Sequence, residues 1–405
     1  MDKKHRGVAL FRGRQEKKQA FGNEPATGSQ QQVSAVSPKN SKLKKKLMLA
    51  ALIAAVFCAG TGVTLVVIKF QNAVDPPSIP ANRPVLQSSL DNGGGNNVSQ
   101  TSEAAVETHS FDPSTQTLTI LSDTYFDSDY EHFIGSPDEP SDLVKTVVIK
   151  DGVTQIGRYA FYNCSALNKI TIPDSIRTIS FSAFCGCTKL TGITFPDSIT
   201  TMGSCVFKNC SLLSSCTIPN SVTSIGDSVF YNCTSLKSVT LSDNVTSIHS
   251  NTFYHCTTLT SIRFSDKVTS IGQSAFSYCT SLTSIHLPDQ MTTIGDHAFY
   301  HCFNLTNLSI PPSVRSIGGY AFKDCTNLAS IHLPESVSAI SQNAFEGCTG
   351  LASITIPKSV RKIGSSVFSG WTSEQKILFK GRSSAPSGWD TAWNENCHAA
   401  IEWNA

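Results

Sequence analysis

Cysteine, aspartate, histidine and tyrosine each recur in this chain in files, and each file suggests a different chemistry. Cys164, Cys187, Cys210, Cys233, Cys256, Cys279, Cys302, Cys325 and Cys348 are spaced 23 residues apart. Thiols could bind zinc, but a zinc site needs ligands that converge tetrahedrally, often in pairs a few residues apart. Single-file cysteines do not converge. Stacked in parallel, their side chains point the same way rather than at each other, which also disfavours disulfides. The spacing predicts buried, unpaired thiols that act as small apolar fillers. Cys216 stands where neighbouring copies carry a core aliphatic, in keeping with that reading. Cys185, Cys205 and Cys397 lie off the file and are the better disulfide candidates, without an obvious pairing.

The acids form a second file: Asp151, Asp174, Asp197, Asp243, Asp266, Asp289 and Glu335, broken by Asn220, Pro312 and Lys358. Carboxylates about 5 Å apart could attract calcium, which takes several oxygen ligands. Aspartate after proline is also what a turn prefers, and no glycine-rich calcium loop accompanies the file. The sequence therefore calls for no metal and no cofactor.

Two further files suit contact with a partner. The outward strand position reads Thr217, Thr240, Arg263, His286, Ser309, His332, Thr355. Arg263, His286 and His332 interrupt small hydroxyl residues and are candidates for ligand contact. The position after phenylalanine carries Tyr162, Tyr231, Tyr254 and Tyr300. Tyrosine is an effective contact residue for proteins and glycans, so Tyr231, Tyr254 and Tyr300 join the candidates, with partial burial against the next coil expected. No nucleophile elbow, phosphate-cradling glycine loop or His-Glu-x-x-His motif occurs. Serine, histidine and aspartate are abundant without a converging arrangement, which leaves an enzyme of unknown type as a remote alternative.

The elements that must position these files follow from the same beat. Phe161 through Phe368 recur every 23 residues, ten times. A period in this range marks a solenoid, in which no unit buries its apolar face alone and stacking supplies the core. One copy reads Leu282, Ile285, Leu287, Pro288, Met291, Ile294, Gly295, Ala298, Phe299, Cys302. Leu-x-x-Ile-x-Leu ends in strand alternation, proline stops it, and Ile-Gly makes a second short extended piece. Ala-Phe-x-x-Cys has the spacing of one helical turn. The expected fold is a right-handed coil of about ten 23-residue repeats with short parallel strands over 144–379. An N-terminal cap (111–143, with a strand at Thr117–Leu121) and a C-terminal cap (380–405, with Trp389, Trp393 and Trp403 as end plugs) seal it.

The repeat phrase Ser284-Ile285-His286-Leu287-Pro288, Thr293-Ile294-Gly295, Ala298-Phe299 and Cys302 resembles the BspA-like leucine-rich repeat family over more than ten copies. The caps look similar too, with a leading Thr-Leu-Thr-Ile strand and a trailing Gly388-Trp389-Asp390, Trp393 and Cys397. Ordinary leucine-rich repeats place Asn or Cys after the strand. Here Cys precedes it, which argues against a horseshoe with long convex helices. The resemblance implies a surface protein of a bacterium or protist, and an adhesin towards host matrix proteins or other cells.

The remaining segments place the repeats. Residues 1–46 carry twelve Lys and Arg against three acids and too few apolar residues to fold alone. Leu47–Ile68 is an uncharged apolar run of 22 residues, roughly 33 Å as a helix and enough to cross a bilayer. Lys42, Lys44, Lys45 and Lys46 precede it directly, so the positive-inside bias predicts a disordered cytoplasmic tail, one transmembrane helix and extracellular repeats. Residues 69–110 hold Pro76, Pro77, Pro80 and Pro84, then Gly93, Gly94 and Gly95, and read as a spacer. Residues 70–405 carry nineteen Lys and Arg against twenty-seven acids, which excludes nucleic acid as the expected partner. The expected partner is a protein or glycan on a host cell, matrix or neighbouring cell. The alternative is a structural envelope scaffold with no specific ligand.

Overall fold

The computed structural model describes residues 108–123 and 142–404. Residues 1–46, the membrane-spanning candidate 47–68 and all but the last residues of the 69–110 spacer lie outside the described residues. Among the described residues no helix is long and apolar enough to cross a membrane.

The chain forms a parallel β-solenoid of about eleven turns of roughly 23 residues. Each turn has three sides. The first is the strand face, where the Leu-x-x-Ile-x-Leu segments supply strands of three or four residues, such as Thr146–Ile149, Lys169–Thr171, Ser238–Thr240 and Ser353–Ile356. Their period-two pattern turns Ile and Leu inward and Ser and Thr outward, as in Ser353–Ile356, which alternates exposed and buried. Proline then bends the chain. The second side is a narrow ladder of two-residue strands ending in Ile, from Gln155–Ile156 to Lys362–Ile363. Register between paired turns is 23 residues from Thr146 to Phe379, as in Ile294 opposite Ile271 and Ile317.

The glycine after that Ile allows the turns to approach. A Cβ on Gly295 would lie 2.8 Å from the carbonyl carbon of Gly272 in the turn below, closer than real Cβ atoms come.

The third side corrects one expectation. Ala-Phe-x-x-Cys is not a turn of helix. It is a pair of consecutive tight turns, with backbone in the left-handed region at two positions four residues apart, for example Tyr159 (φ 58°) and Asn163 (φ 56°). Alternate amides close local turns (Tyr162 N–H to the Tyr159 carbonyl, 3.0 Å), and the others reach the next coil. Tyr159, Phe161 and Asn163 donate to the carbonyls of Phe181, Ala183 and Cys185 at 3.0, 2.8 and 2.7 Å. A turn of helix would aim all of these donors along its own axis rather than alternately at the next coil. Here three inter-coil bonds per step offset the left-handed residues, each costing on the order of 1 kcal/mol unless it is Gly, Asn or Asp.

Inside, Phe161 to Phe368 form one stack, fully buried, with ring centroids 5.2–6.1 Å apart and planes within 4–18° of parallel. The ends are closed differently. His109–Asp112 pairs antiparallel with Thr117–Ile120, which starts the parallel stack. At the far end Ala400–Trp403 adds to Lys376–Phe379, and Trp389, Trp393 and Trp403 pack on Phe379 at 5.1, 5.5 and 4.3 Å.

Candidate recognition site

The cysteine file is more than filler. Each thiol from Cys187 to Cys348 donates to the carbonyl of the phenylalanine one turn below, at 3.0–3.2 Å. In the last repeat Trp371 takes the cysteine's place, and its Nε1–H makes the same bond to the Phe345 carbonyl at 2.9 Å. Two chemically different side chains thus meet one requirement, a donor at that carbonyl. Burial pushes these thiols far up, Cys164 to about 12, so they stay protonated and unreactive. The thirteen cysteines among the described residues are free, Cys185, Cys205 and Cys397 included.

The acid file sits in turns at the surface, where Asp243 bonds to the same position in the neighbouring coil. Asp243 N–H donates to Asn220 Oδ1 at 2.8 Å, and Asn220 Nδ2 donates to Asp243 Oδ2 at 3.2 Å. Among the described residues no group of three or more His, Cys, Asp or Glu is placed to hold a metal ion.

On the strand face, Arg263, His286 and His332 all point to solvent. Arg263 reaches Asp243 at 3.4 Å with both side chains largely exposed, a pair worth at most about 1 kcal/mol. The three do not converge. Arg263 and His286 occupy successive turns, while Ser309 separates His286 from His332, which pairs with it across the ladder. Arg263 also lines the far end of a cleft of about 380 Å³ with Asp197, Thr217, Thr240 and Asp243.

The tyrosines behave differently. Tyr231 and Tyr254 stack at 4.7 Å with planes 10° apart. Tyr300 is joined to them through Tyr278, which stands edge-on to Tyr254 at 5.6 Å and to Tyr300 at 5.4 Å. His301 stacks on Tyr278 at 4.9 Å, and His297 stacks on Tyr320 at 4.7 Å. Lys208 sits over Tyr231 at one end of this half-buried ribbon, and Lys323 sits over Tyr320 at the other. Such pairs contribute about 0.5–1.5 kcal/mol each beyond buried area. Burial raises the Tyr254 hydroxyl to about 12 and lowers His297 and His301, whose Nδ1 atoms are buried with no hydrogen-bond partner. His301 Nε2 lies 3.6 Å from Asp324.

The residues that complete the ribbon, Tyr278, His297, His301 and Tyr320, were not picked out by sequence reasoning. They stand at the left-handed positions (φ 61°, 56°, 56° and 57°). The signal was present in the column Asn163, Gly186, Asn209, Asn232, His255, Tyr278, His301. It begins with Asn and Gly and then switches to rings, of which Tyr278 departs from the residues that favour positive φ; His297 and Tyr320 stand in the second left-handed column, after Asn251 and Ser274.

This cross-section, two short parallel ladders and a hydrogen-bonded turn edge, defines a short-repeat leucine-rich solenoid. The chain belongs to the BspA-type leucine-rich repeat family, whose model matches six copies over residues 141–260 and 246–375. Solved structures similar to it include a leucine-rich cell surface protein from Faecalibacterium prausnitzii A2-165. That structure is 27% identical, covering 73% of this chain and 93% of that one, with a TM-score of 0.44. A leucine-rich repeat protein from Bacteroides ovatus is 24% identical, covering 73% and 88%, with a TM-score of 0.48. No curated protein matches the chain.

Proposed function

We propose that the chain is a non-catalytic recognition protein displayed at the cell surface, which adheres to a protein or glycan of a host cell, matrix or neighbouring cell. Residues 47–68 anchor it, with the basic 1–46 inside and the repeats outside. Membership of a leucine-rich repeat family supports this reading. One observation carries it: uniform interior columns hold up an outward file that changes chemistry at Arg263, His286 and His332, so the scaffold is constant and the displayed face is not. Contacts spread along such a side suit many small interactions rather than one enclosed pocket.

The test is binding of the full-length chain to immobilised host matrix proteins and glycans, set against material from its own envelope. The combined variant Arg263→Thr, His286→Thr, His332→Thr should lose at least about tenfold in affinity, equivalent to roughly 1.4 kcal/mol. Its stability should move by no more than about 0.5 kcal/mol, as for exposed sites generally. Unchanged affinity removes this patch from the proposal. Retention by envelope material alone favours the scaffold reading.

A further inference from the structure

The strand face has a gap, and its edges are backbone. Lys169–Thr171 is the last strand of the N-terminal ladder, and Ser215–Thr217 is the first strand of the next. Between them runs Gly192–Phe195, the turn that should supply the missing rung. Its N–H and C=O groups make no hydrogen bond to either neighbour. Elsewhere the same stretch pairs on at least one side, even where strands are short: Ser284 still bridges to Asn307.

Two residues stand at the opening. Gly192 occupies a column otherwise held by Lys169, Ser215, Ser238 and their equivalents, and glycine weakens a strand interior. Phe195 occupies a column held by Ile218, Leu241 and Ile310, and also by Phe264, whose rung Ser261–Arg263 still pairs with Ser238–Thr240, so the glycine is what sets this rung apart. The larger ring of Phe195 tilts against Phe207 at 6.0 Å and stays partly exposed. Ile170, Ile172 and Ile193 are likewise only partly buried, as are Ile262 and Phe264 further along, whereas Leu308, Ile310, Ile354 and Ile356 in the same columns are buried. A Cβ added to Gly192 would meet nothing within 4 Å. The space is a cleft of about 540 Å³, which continues through Asp197 and Thr217 towards Arg263.

We infer that this gap receives an extended peptide segment of a protein partner, which adds as a strand. Unpaired amides and carbonyls on facing edges select a polypeptide backbone over a glycan or lipid, because only a backbone repeats donor and acceptor at the strand interval. The flanking strands are three residues long, so three or four residues of the ligand pair, about 10–13 Å at strand rise. Alternate aliphatic side chains meet Ile170, Ile193 and Phe195. Lys169 and Asp197 set one charge of each sign at the lip, which fits a segment with an acidic residue on one side and a basic one on the other. The inference deepens the recognition reading and rests on it, adding the mode of binding and the class of ligand.

The test selects a display library of random seven-residue peptides on the full-length chain in detergent. Counter-selection uses Gly192→Ser with Phe195→Leu, which restores both column types and closes the ladder. Enriched peptides should alternate aliphatic and polar residues without proline and should bind the closed variant at least tenfold more weakly. They should also slow hydrogen exchange at Gly192–Phe195 at least tenfold, and methylating their alternate amide nitrogens should abolish binding to the unmodified chain. Failure to enrich any peptide, unchanged exchange at 192–195, or unaffected binding by methylated peptides overturns the inference. The methylation result needs no mutant, so it stands even if the closed variant folds poorly. Loss of partner binding in the Arg263, His286, His332 variant alongside any of these failures leaves recognition intact and removes only the strand-addition mode.

Discussion

On the strand face, backbone pairing is interrupted at Gly192–Phe195, around Ile285–Pro288, and again between Ser330–His332 and Ser353–Ile356. On the turn edge, three amides per turn reach the next coil at every step from Tyr159 to Gly347, and further bonds continue into the C-terminal cap. Both sides repeat every 23 residues, so periodicity alone does not explain the difference. The turn edge aims alternate amides along the stack and adds a thiol donor from the turn above to each phenylalanine carbonyl from Phe161 to Phe322. The strand face relies on three or four paired residues in each strand it forms. The stack is therefore held in register by its turn edge and interior, which leaves the strand face free to open and vary. The side chains follow suit, as Arg263, His286 and His332 stand apart while the ribbon from Lys208 to Lys323 is coupled ring to ring.

The largest effect should come from the interior behind the turn edge. Phe276→Ala removes stacking with Phe253 at 5.2 Å and Phe299 at 5.4 Å and should cost about 3–5 kcal/mol. Ile193→Ala, beside the gap, should cost less than half of that, because the side chain is already partly exposed. Urea denaturation followed by circular dichroism compares the two, and equal losses would erase the distinction between the sides.

A smaller effect is expected for Cys256→Val, which keeps the apolar volume and deletes the bond to the Phe230 carbonyl. That carbonyl still accepts the Cys233 amide at 3.1 Å. The loss should sit near the low end for a buried acceptor, about 1 kcal/mol in the same measurement. No loss would return the thiols to the role of filler.

The smallest effect is a pH dependence confined to the turn edge. Burial lowers His297 and His301 below their usual 6.5. The unfolded chain then binds more protons, so stability is lost as pH falls through about 6.5 towards the folded values. Burial raises Asp324 above its usual 3.8, so its contribution has the opposite sign and is lost as pH rises above about 3.8 towards its folded value. Tm should therefore fall as pH drops from about 7.5 to about 5.5. The fall should shrink in His297→Asn with His301→Asn, since asparagine accepts the left-handed backbone at both positions. A profile identical to that of the unmodified chain would show that the ribbon histidines do not carry it.

Much of this architecture could be read from residue order. The Phe, Cys, Ile and Leu columns announced the stack, and the Thr-Leu-Thr-Ile strand and the tryptophans announced its ends. The turn edge could not be read in the same way. Ala298, Phe299 and Cys302 have one spacing whether they lie on a helix or on two tight turns, and the choice depends on carbonyls 23 residues further along. Of the contact candidates, Tyr231 and Tyr254 shared a column and proved to touch, whereas their link to Tyr300 runs through Tyr278 in a different column.

Residue order by itself determined the period, the interior columns and the outward file, because a stack of equal units needs the same kind of side chain at the same place in each. Only the tertiary structure decided which exposed columns become neighbours and where the ladder parts. Both depend on backbone direction at single residues, a left-handed Tyr278 or a slack Gly192 next to an oversized Phe195, and on the hydrogen bonds that the next coil offers or withholds.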